Sequence, residues 1–215
     1  KKVKEQNINN EFFVIGEFGP FLGGSTVAMA ESLKRKKVNN AEIHVYDSFC
    51  MKSDTDFFKQ AMRILKDYNY SLKDLNHKEN DFFDFENLFH SLTSRYNFIK
   101  THKVKFEKNI TLENLDLQNK LFDLVHIDLP KTMDIGIKIM EALEEKCKKN
   151  VTLIFQDYAY RWSAEIISYI GLLIQEGALI EKIIGPSIYL YISDSKKIIR
   201  SANHIYRKNL KTNIK

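Results

Sequence analysis

One glycine-rich loop holds the residues whose types and spacing most directly indicate chemistry. Its glycines and its charged and hydroxyl residues are Glu17, Gly19, Gly23, Gly24, Ser25 and Thr26. An apolar run, 12–15, precedes the loop, and a helix-forming stretch, 27–36, follows it. Backbone N–H groups approach a ligand closely where no Cβ intrudes, and a helix N-terminus favours negative charge. The loop therefore predicts a nucleotide-binding arrangement; the alternative is a glycine-rich turn without a ligand.

The spacing of the loop narrows the choice of ligand. It is not the dinucleotide fingerprint G-x-G-x-x-G, and no Lys follows Gly24 as a phosphate loop requires. The pattern E-x-G-x-x-x-G-G-S-T resembles motif I of the class I S-adenosylmethionine (SAM) methyltransferases, particularly the small-molecule and sugar O-methyltransferases. This resemblance implies that the loop binds SAM. Glu17 would accept a hydrogen bond from the cofactor amine. Ser25 or Thr26 would cap the helix and donate a hydrogen bond to the cofactor carboxylate.

A second motif, 43–49, supports the first. Asp47 ends a predicted strand about 20 residues after the loop, where an acidic residue binds ribose hydroxyls in related sheets. We expect Asp47, with Ser48 beside it, to bind the cofactor ribose, and Phe49 to pack on the adenine. The alternatives are a capping or loop role for Asp47 and a core position for Phe49.

Two further polar motifs follow predicted central strands. His126-Ile127-Asp128 and Gln156-Asp157-Tyr158 resemble the H-I-D and D-D-Y or Q-D-Y motifs of sugar and macrolide O-methyltransferases. In metal-dependent members these acids hold a divalent ion, so the resemblance implies Mg²⁺ or Mn²⁺ at Asp128 and Asp157. Gln156 replaces the commoner first Asp and removes one carboxylate.

The same region supplies the candidates for catalysis and acceptor binding. Asp128, His126 and Lys131 are the candidate bases or charge-stabilising groups. Tyr158, Arg161 and Trp162 are the candidate acceptor-binding residues, Trp162 through stacking on a sugar or base. The alternatives are a hydrogen-bonded core position for His126, a solvated Lys131 and a buried Trp162.

Strand-like and helix-like segments alternate along the chain. The predicted strands are 12–15, 43–46, 98–104, 122–127 and 151–155, and the predicted helices are 27–36, 55–67, 85–96, 133–149 and 164–176. The alternation predicts an α/β fold with parallel strands and helices on both faces of the sheet. Runs 178–184 and 188–193, joined by a short Gly-Pro-Ser loop, predict a C-terminal antiparallel hairpin. The resemblance thus implies a Rossmann-like, seven-stranded, mostly parallel sheet.

The chain is predicted to form one methyltransferase domain over 1–193. Region 50–96 is longer than one crossover helix requires, so it is either an extra cover of the sheet or a substrate-shaping lid. Residues 194–215 are predicted to be a basic C-terminal extension.

Composition bounds the function further. The 215 residues carry a net charge of +5, which suits an anionic partner or a solvated basic surface. No apolar run approaches a membrane span, and two isolated cysteines suit a reducing, cytoplasmic compartment. The resemblance implies O-methylation of a sugar, nucleotide-linked and destined for capsule or another surface glycan, by a chain that could form a homodimer. The alternatives are a nucleic-acid methyltransferase, disfavoured because Lys131 replaces the aromatic of D-P-P-Y, and a non-catalytic SAM-fold interaction domain of a larger glycan enzyme.

Overall fold

A computed structural model describes most of the chain. The described residues are 12–67, 69, 76–78, 82–106, 120–129, 133–143, 146–156, 164–175, 179–184 and 187–192. Their elements are, in chain order, β1 (Phe13–Phe18), α1 (Gly24–Arg35), β2 (Ala41–Asp47), β3 (Cys50–Lys52), α2 (Asp56–Asp67), β4 (Asn76–Lys78), β5 (Phe82–Asp84), α3 (Glu86–Thr93), β6 (Ile99–Lys103), β7 (Phe122–Ile127), α4 (Met133–Leu143), β8 (Cys147–Phe155), α5 (Ala164–Gln175), β9 (Leu179–Ile184) and β10 (Ser187–Ile192).

The larger sheet has the strand order β6-β2-β1-β7-β8-β10-β9. Strands β6, β2, β1, β7 and β8 run parallel, and β10 is antiparallel to both β8 and β9. The prediction of an α/β fold with a mostly parallel sheet is therefore confirmed. The chain builds outward from β1 to one side and then returns to place β7 on the other side. This reversal creates a switch point beside β1, where open α/β sheets bind ligands.

Apolar side chains cover both faces of this sheet, as the nearly continuous apolar strands require. One cluster includes Ile15 and Ile43 from the sheet together with Leu33 of α1 and Phe89 of α3. The cluster on the other face includes Phe18, Tyr46 and Val125 of the sheet together with Leu143 of α4 and Leu173 of α5. Burial of both faces fixes the register of each strand, because a slip by one residue would exchange the two faces.

The region after β2 forms a small sheet of its own. Strands β3, β5 and β4 are antiparallel in that order, and Phe58 of α2 stacks on Phe83 of β5 with ring centroids 4.4 Å apart. The N–H of Phe85 donates to the carbonyl of Phe49, which ties this region to the end of β2. The sequence pattern did not predict these strands, because three residues are too few to show an alternation.

Several helix boundaries correct the predictions, and α3, for example, ends at Thr93 and not at residue 96. Helix α4 ends at Leu143, and residues 147–149 belong to β8 and not to a helix that continues to 149. The reason is the sheet: the N–H of Phe122 donates to the carbonyl of Lys146, and Cys147 pairs beside Phe122. Helix α1 begins at Gly24 and not at residue 27, since Gly23 adopts the left-handed conformation that ends the preceding turn. Within the described ranges, no helix has the length and apolar character that a membrane span needs.

Candidate functional site

Parallel pairing brings the carboxyl ends of four strands to one edge of the sheet. Phe18 of β1 lies level with Tyr46 of β2 and Ile127 of β7, and Ile127 lies level with Phe155 of β8. Glu17 precedes Phe18 directly, and a polar residue directly follows each of the other three. The edge therefore collects Glu17, Asp47, Asp128 and Gln156 beside the switch point.

The glycine loop is built around a close approach of its backbone to β7. Gly19 has a φ of 84°, and its N–H donates to the carbonyl of Tyr46 at 3.1 Å. A Cβ on Gly19 would lie 2.8 Å from Cγ of Leu129 and 3.2 Å from the Asp128 backbone. A Cβ on Gly24 would meet nothing within 4 Å. Gly19 is thus required for packing, whereas the space at Gly24 is open at the start of α1.

Glu17 holds the first turn of α1 through its carboxylate. Its side chain is fully buried, and the hydroxyls of Ser25 and Thr26 each donate to one of its oxygens at 2.5 Å. The prediction that Ser25 or Thr26 caps the helix is therefore wrong. Gly23 is the N-cap, and no side chain caps the helix. The first N–H groups of a helix have no intrahelical acceptor, so the N-terminus of α1 retains backbone donors for an anionic ligand.

His126 lies next to Glu17 on the neighbouring strand. The two residues are paired in the parallel register of β1 and β7, and His126 Nδ1 lies 3.3 Å from Glu17 Oε1, an ion-pair contact without the alignment of a hydrogen bond. His126 Nε2 lies 2.9 Å from Oε1 of Gln156. Because an amide oxygen only accepts, Nε2 carries a proton in this arrangement.

The surroundings of His126 favour its charged form. Burial lowers the pKa of this imidazole, but the Glu17 carboxylate, the Asp128 carboxylate and the contact with Gln156 together raise it above its ordinary value. The alternative of a hydrogen-bonded, buried position fits His126, which is 7% exposed. The structure adds that its partners belong to the predicted site.

Asp47 ends β2 in a tight local turn. Its Oδ1 accepts from the N–H of Phe49 at 2.9 Å and from the hydroxyl of Ser48 at 3.3 Å. Burial raises the pKa of this carboxyl, although those hydrogen bonds lower it. Phe49, at a φ of 50°, is fully buried and packs on the rings of Phe85 and Phe89. Phe49 therefore has a core position, and its contact with an adenine stays a prediction.

The acceptor side of the edge is described in part. The N–H of Asp128 donates to the carbonyl of Phe18, and the N–H of Gln156 donates to the carbonyl of Ile127, both at 2.9 Å. Asp128 is partly buried and Gln156 is exposed. The remaining predicted residues, Lys131, Asp157, Tyr158, Arg161 and Trp162, lie outside the described residues.

The predicted metal site receives one carboxylate from the described residues, Asp128. These residues contain no group of three His, Cys, Asp or Glu side chains that could hold an ion. Gln156, which stands where related motifs carry an acid, directs its amide oxygen to His126.

Two residues of the site were not predicted from the sequence. Gln156 appeared only as a departure from a motif, yet it binds His126; its signal was its place two residues after Ile154, the register partner of His126. Leu129 lies against Gly19, a contact that the sequence pattern does not indicate.

Comparison with known proteins gives the fold. No protein-family model matches the chain, and no curated protein matches its sequence. Among solved structures, the O-methyltransferase NovP is 17% identical with a TM-score of 0.56 and is matched over 86% of this chain and 74% of its own. CalS11, a TDP-rhamnose 3'-O-methyltransferase of calicheamicin biosynthesis, is 16% identical with a TM-score of 0.52, over 83% of this chain and 71% of its own.

A third structure agrees with these two. It is a putative O-methyltransferase from Klebsiella pneumoniae, 13% identical with a TM-score of 0.51, matched over 83% of this chain and 72% of its own. The chain therefore shares its fold with these O-methyltransferases.

Proposed function

We propose that this protein is a SAM-dependent O-methyltransferase that acts on a hydroxyl of a nucleotide-linked sugar. The observation that carries the proposal is the joint placement of the glycine loop and Asp47 at the switch point of the sheet. Glu17 fixes the loop through Ser25 and Thr26, and Asp47 ends the next strand on the same side. Fold alone does not give activity, so the proposal depends on these side chains.

The cofactor side of the site offers groups suited to two parts of SAM, its carboxylate and its ribose. The uncapped N-terminus of α1 and the open space at Gly24 suit the cofactor carboxylate. Asp47 retains a second carboxylate oxygen beyond the one that binds Phe49 and Ser48, and this oxygen is suited to the ribose hydroxyls. Bound SAM would supply the methyl group from its sulfonium.

Asp128 is our candidate for the general base on the acceptor side. It lies at the carboxyl end of β7, beside the glycine loop, since a Cβ on Gly19 would be 3.2 Å from its backbone. Its carboxylate would accept the proton of the acceptor hydroxyl as the oxygen attacks the methyl group. Alignment of the hydroxyl with the methyl group supplies much of the rate in such a transfer.

The acceptor class is inferred from a solved structure of similar fold and from the motifs after β7 and β8. CalS11 acts on a TDP-linked rhamnose, and its fold is shared by this chain. Tyr158, Arg161 and Trp162 are proposed to bind the sugar, and the small sheet of region 50–96 to shape the acceptor site. Lys131 is proposed to neutralise charge there. Assistance by Mg²⁺ or Mn²⁺, a role in capsule or other surface-glycan synthesis, a cytoplasmic location and a homodimer are further parts of the proposal that rest on the motif resemblance.

Methyl transfer from labelled SAM to a panel of nucleotide sugars tests the proposal. We expect transfer to at least one sugar, abolished by Asp128→Asn. Asp123→Asn is a matched control, because Asp123 lies on the same strand but at its opposite end, where it accepts from the N–H of Val14. Its activity is expected to equal that of the wild type.

Other outcomes would redirect the proposal. Transfer to RNA or DNA with none to sugars would favour the nucleic-acid alternative. Binding of cofactor without transfer to any acceptor would favour the non-catalytic alternative. Parallel reactions with EDTA and with Mn²⁺ test metal assistance, which predicts loss of transfer in EDTA and its recovery with the ion.

A further inference from the structure

A line of polar contacts runs from the surface of the carboxyl edge to the buried glycine loop. It begins at Gln156, which is exposed at the end of β8, and passes to His126 at 2.9 Å. His126 faces Glu17 at 3.3 Å, and Glu17 accepts from Ser25 and Thr26 in the first turn of α1. The line thus joins β8, β7, β1 and α1 through side chains alone.

The contacts of His126 exceed what packing of the sheet requires. A buried polar side chain costs free energy unless its partners compensate, and an apolar residue would fill this strand position without that cost. Neighbouring positions of β7 are apolar and buried, including Val125 and Ile127. Each ring nitrogen of His126 instead faces an oxygen on a different neighbouring strand. The Nε2 contact with Gln156 has hydrogen-bond geometry and the Nδ1 contact with Glu17 is an ion pair, so the two contacts together fix the orientation of the ring.

We propose that His126 is a positioning residue for the cofactor loop. Its Nδ1 edge holds the Glu17 carboxylate, which in turn holds Ser25 and Thr26 and so the start of α1. Its Nε2 edge is anchored by Gln156, which keeps the ring in the orientation that faces Glu17. This inference rests on the proposed function, because it assigns the loop to cofactor binding. His126 touches neither the cofactor nor the acceptor in this role.

Two substitutions separate the two edges of the ring. In His126→Asn the amide nitrogen takes the place of Nδ1, so the donor toward Glu17 is kept and the contact with Gln156 is lost. In His126→Gln the amide nitrogen takes the place of Nε2, so the contact with Gln156 is kept and the donor toward Glu17 is lost. A residue that only packs would show no such difference.

Calorimetric titration with S-adenosylhomocysteine (SAH) measures the result. We expect His126→Gln to bind SAH about 10-fold more weakly than the wild type, the loss of one buried polar contact, and His126→Asn about 3-fold more weakly. Gln156→Ala, a surface change that preserves folding, is expected to resemble His126→Asn, because both release the anchor of the ring. His44→Gln is the control: His44 is as buried as His126 but lies on the opposite face of the sheet, where its partners are Glu42 and His102. It should leave SAH affinity unchanged.

The possible failures are distinguishable. Absence of SAH binding by the wild type would overturn the proposed function. Binding by the wild type with equal affinities for His126→Asn and His126→Gln, or with Gln156→Ala at wild-type affinity, would overturn the positioning role and leave the proposed function in place.

Discussion

Two buried histidines lie on opposite faces of the same sheet, and their pKa values are shifted in opposite directions. His126 is 7% exposed and His44 is 6% exposed. The pKa of His126 is raised from its ordinary value, and the pKa of His44 is lowered. Their strands are separated by β1 only. Burial alone therefore does not determine the state of a histidine in this protein.

The difference comes from the charges that each ring meets. Burial lowers the pKa of both rings, but His126 faces the Glu17 carboxylate and is near that of Asp128. The carboxylate beside His44 is Glu42, at 3.1 Å, and Glu42 also binds Lys120 at 2.5 Å. Lys120 thus offsets the charge that would otherwise favour the imidazolium.

The two rings also differ in the parts of the molecule that they connect. His44 Nδ1 lies 2.9 Å from His102 Nε2, and His102 stacks on Tyr46 with ring centroids 4.6 Å apart, which makes a cluster internal to the sheet. His126 instead connects the glycine loop to the end of β8. A buried histidine thus indicates a candidate site when its partners come from different elements that meet there.

The largest expected effect comes from neutralising the carboxylate beside each histidine. Glu17→Gln removes the charge of a fully buried carboxylate that accepts from Ser25 and Thr26 and faces His126, so we expect a loss of about 3 kcal/mol in the free energy of unfolding. Glu42→Gln removes a partly exposed ion pair and should cost about 1 kcal/mol. Urea unfolding of both variants measures the difference. Equal losses would show that the two carboxylates contribute equally to stability, contrary to this account.

Substitution of two glycines by alanine tests the geometry of the loop that follows Glu17. Gly19→Ala places a Cβ at a φ of 84° and against Leu129, so we expect a loss of about 2 kcal/mol. Gly24→Ala has open space and a helical position, so stability should change by at most about 1 kcal/mol, in the favourable direction. Its Cβ enters the space that we assign to the cofactor, so SAH should bind more weakly. Wild-type SAH affinity in Gly24→Ala would contradict that assignment.

The pH dependence of stability should distinguish the two histidines directly. The raised pKa of His126 means that its contribution is fully present below the ordinary value of 6.5 and is lost as pH rises through the folded value. The lowered pKa of His44 means that protons bind the unfolded chain preferentially, so its effect on acidification below 6.5 is a loss of stability.

Substitution of each histidine by glutamine tests these two opposite pH dependences. Relative to the wild type, the deficit of His126→Gln should be greatest near pH 5.5 and shrink toward pH 8, by about 1 kcal/mol. The deficit of His44→Gln should change in the opposite sense. Urea unfolding across this range, in buffer with EDTA, provides the measurement; parallel pH profiles would show that the two environments do not differ.

The same contrast extends to the two cysteines, which differ in burial although they are the same residue type. Burial raises the pKa of Cys147 to about 12, whereas Cys50 is partly exposed. Since the thiolate is the reactive form, iodoacetamide at pH 8 should alkylate Cys147 at least about 100-fold more slowly than Cys50. Mass spectrometry of peptides over time provides the rates. Comparable rates would mean that the start of β8 opens readily.

Much of the fold could be predicted because its signals are local and repeated. Strands such as 122–127 are apolar on both faces, and the helices between them have the expected lengths. The small sheet could not be predicted, because its strands are too short to show a period. The extension of β8 through Cys147 was missed because Lys146, Lys148 and Lys149 also suit a helix end.

The candidate site was predictable in its motifs and not in its contacts. The spacing around Glu17 and the place of Asp47 indicated which residues approach the edge. The roles of Ser25 and Thr26 were not predictable, because capping and binding of Glu17 need the same hydroxyl at nearly the same position. The partnership of His126 with Gln156 depends on strand order, which no local pattern gives.

The central claim is that the carboxyl edge beside β1 binds SAM, and Asp47→Asn tests it most directly. Asparagine keeps the oxygen that accepts from the N–H of Phe49 and removes the second carboxylate oxygen, so the fold should be retained. In calorimetric titrations with SAH, we predict saturable binding by the wild type and affinity lower by about 10-fold or more in Asp47→Asn. No binding by the wild type, or equal affinity in the two proteins, would contradict the account.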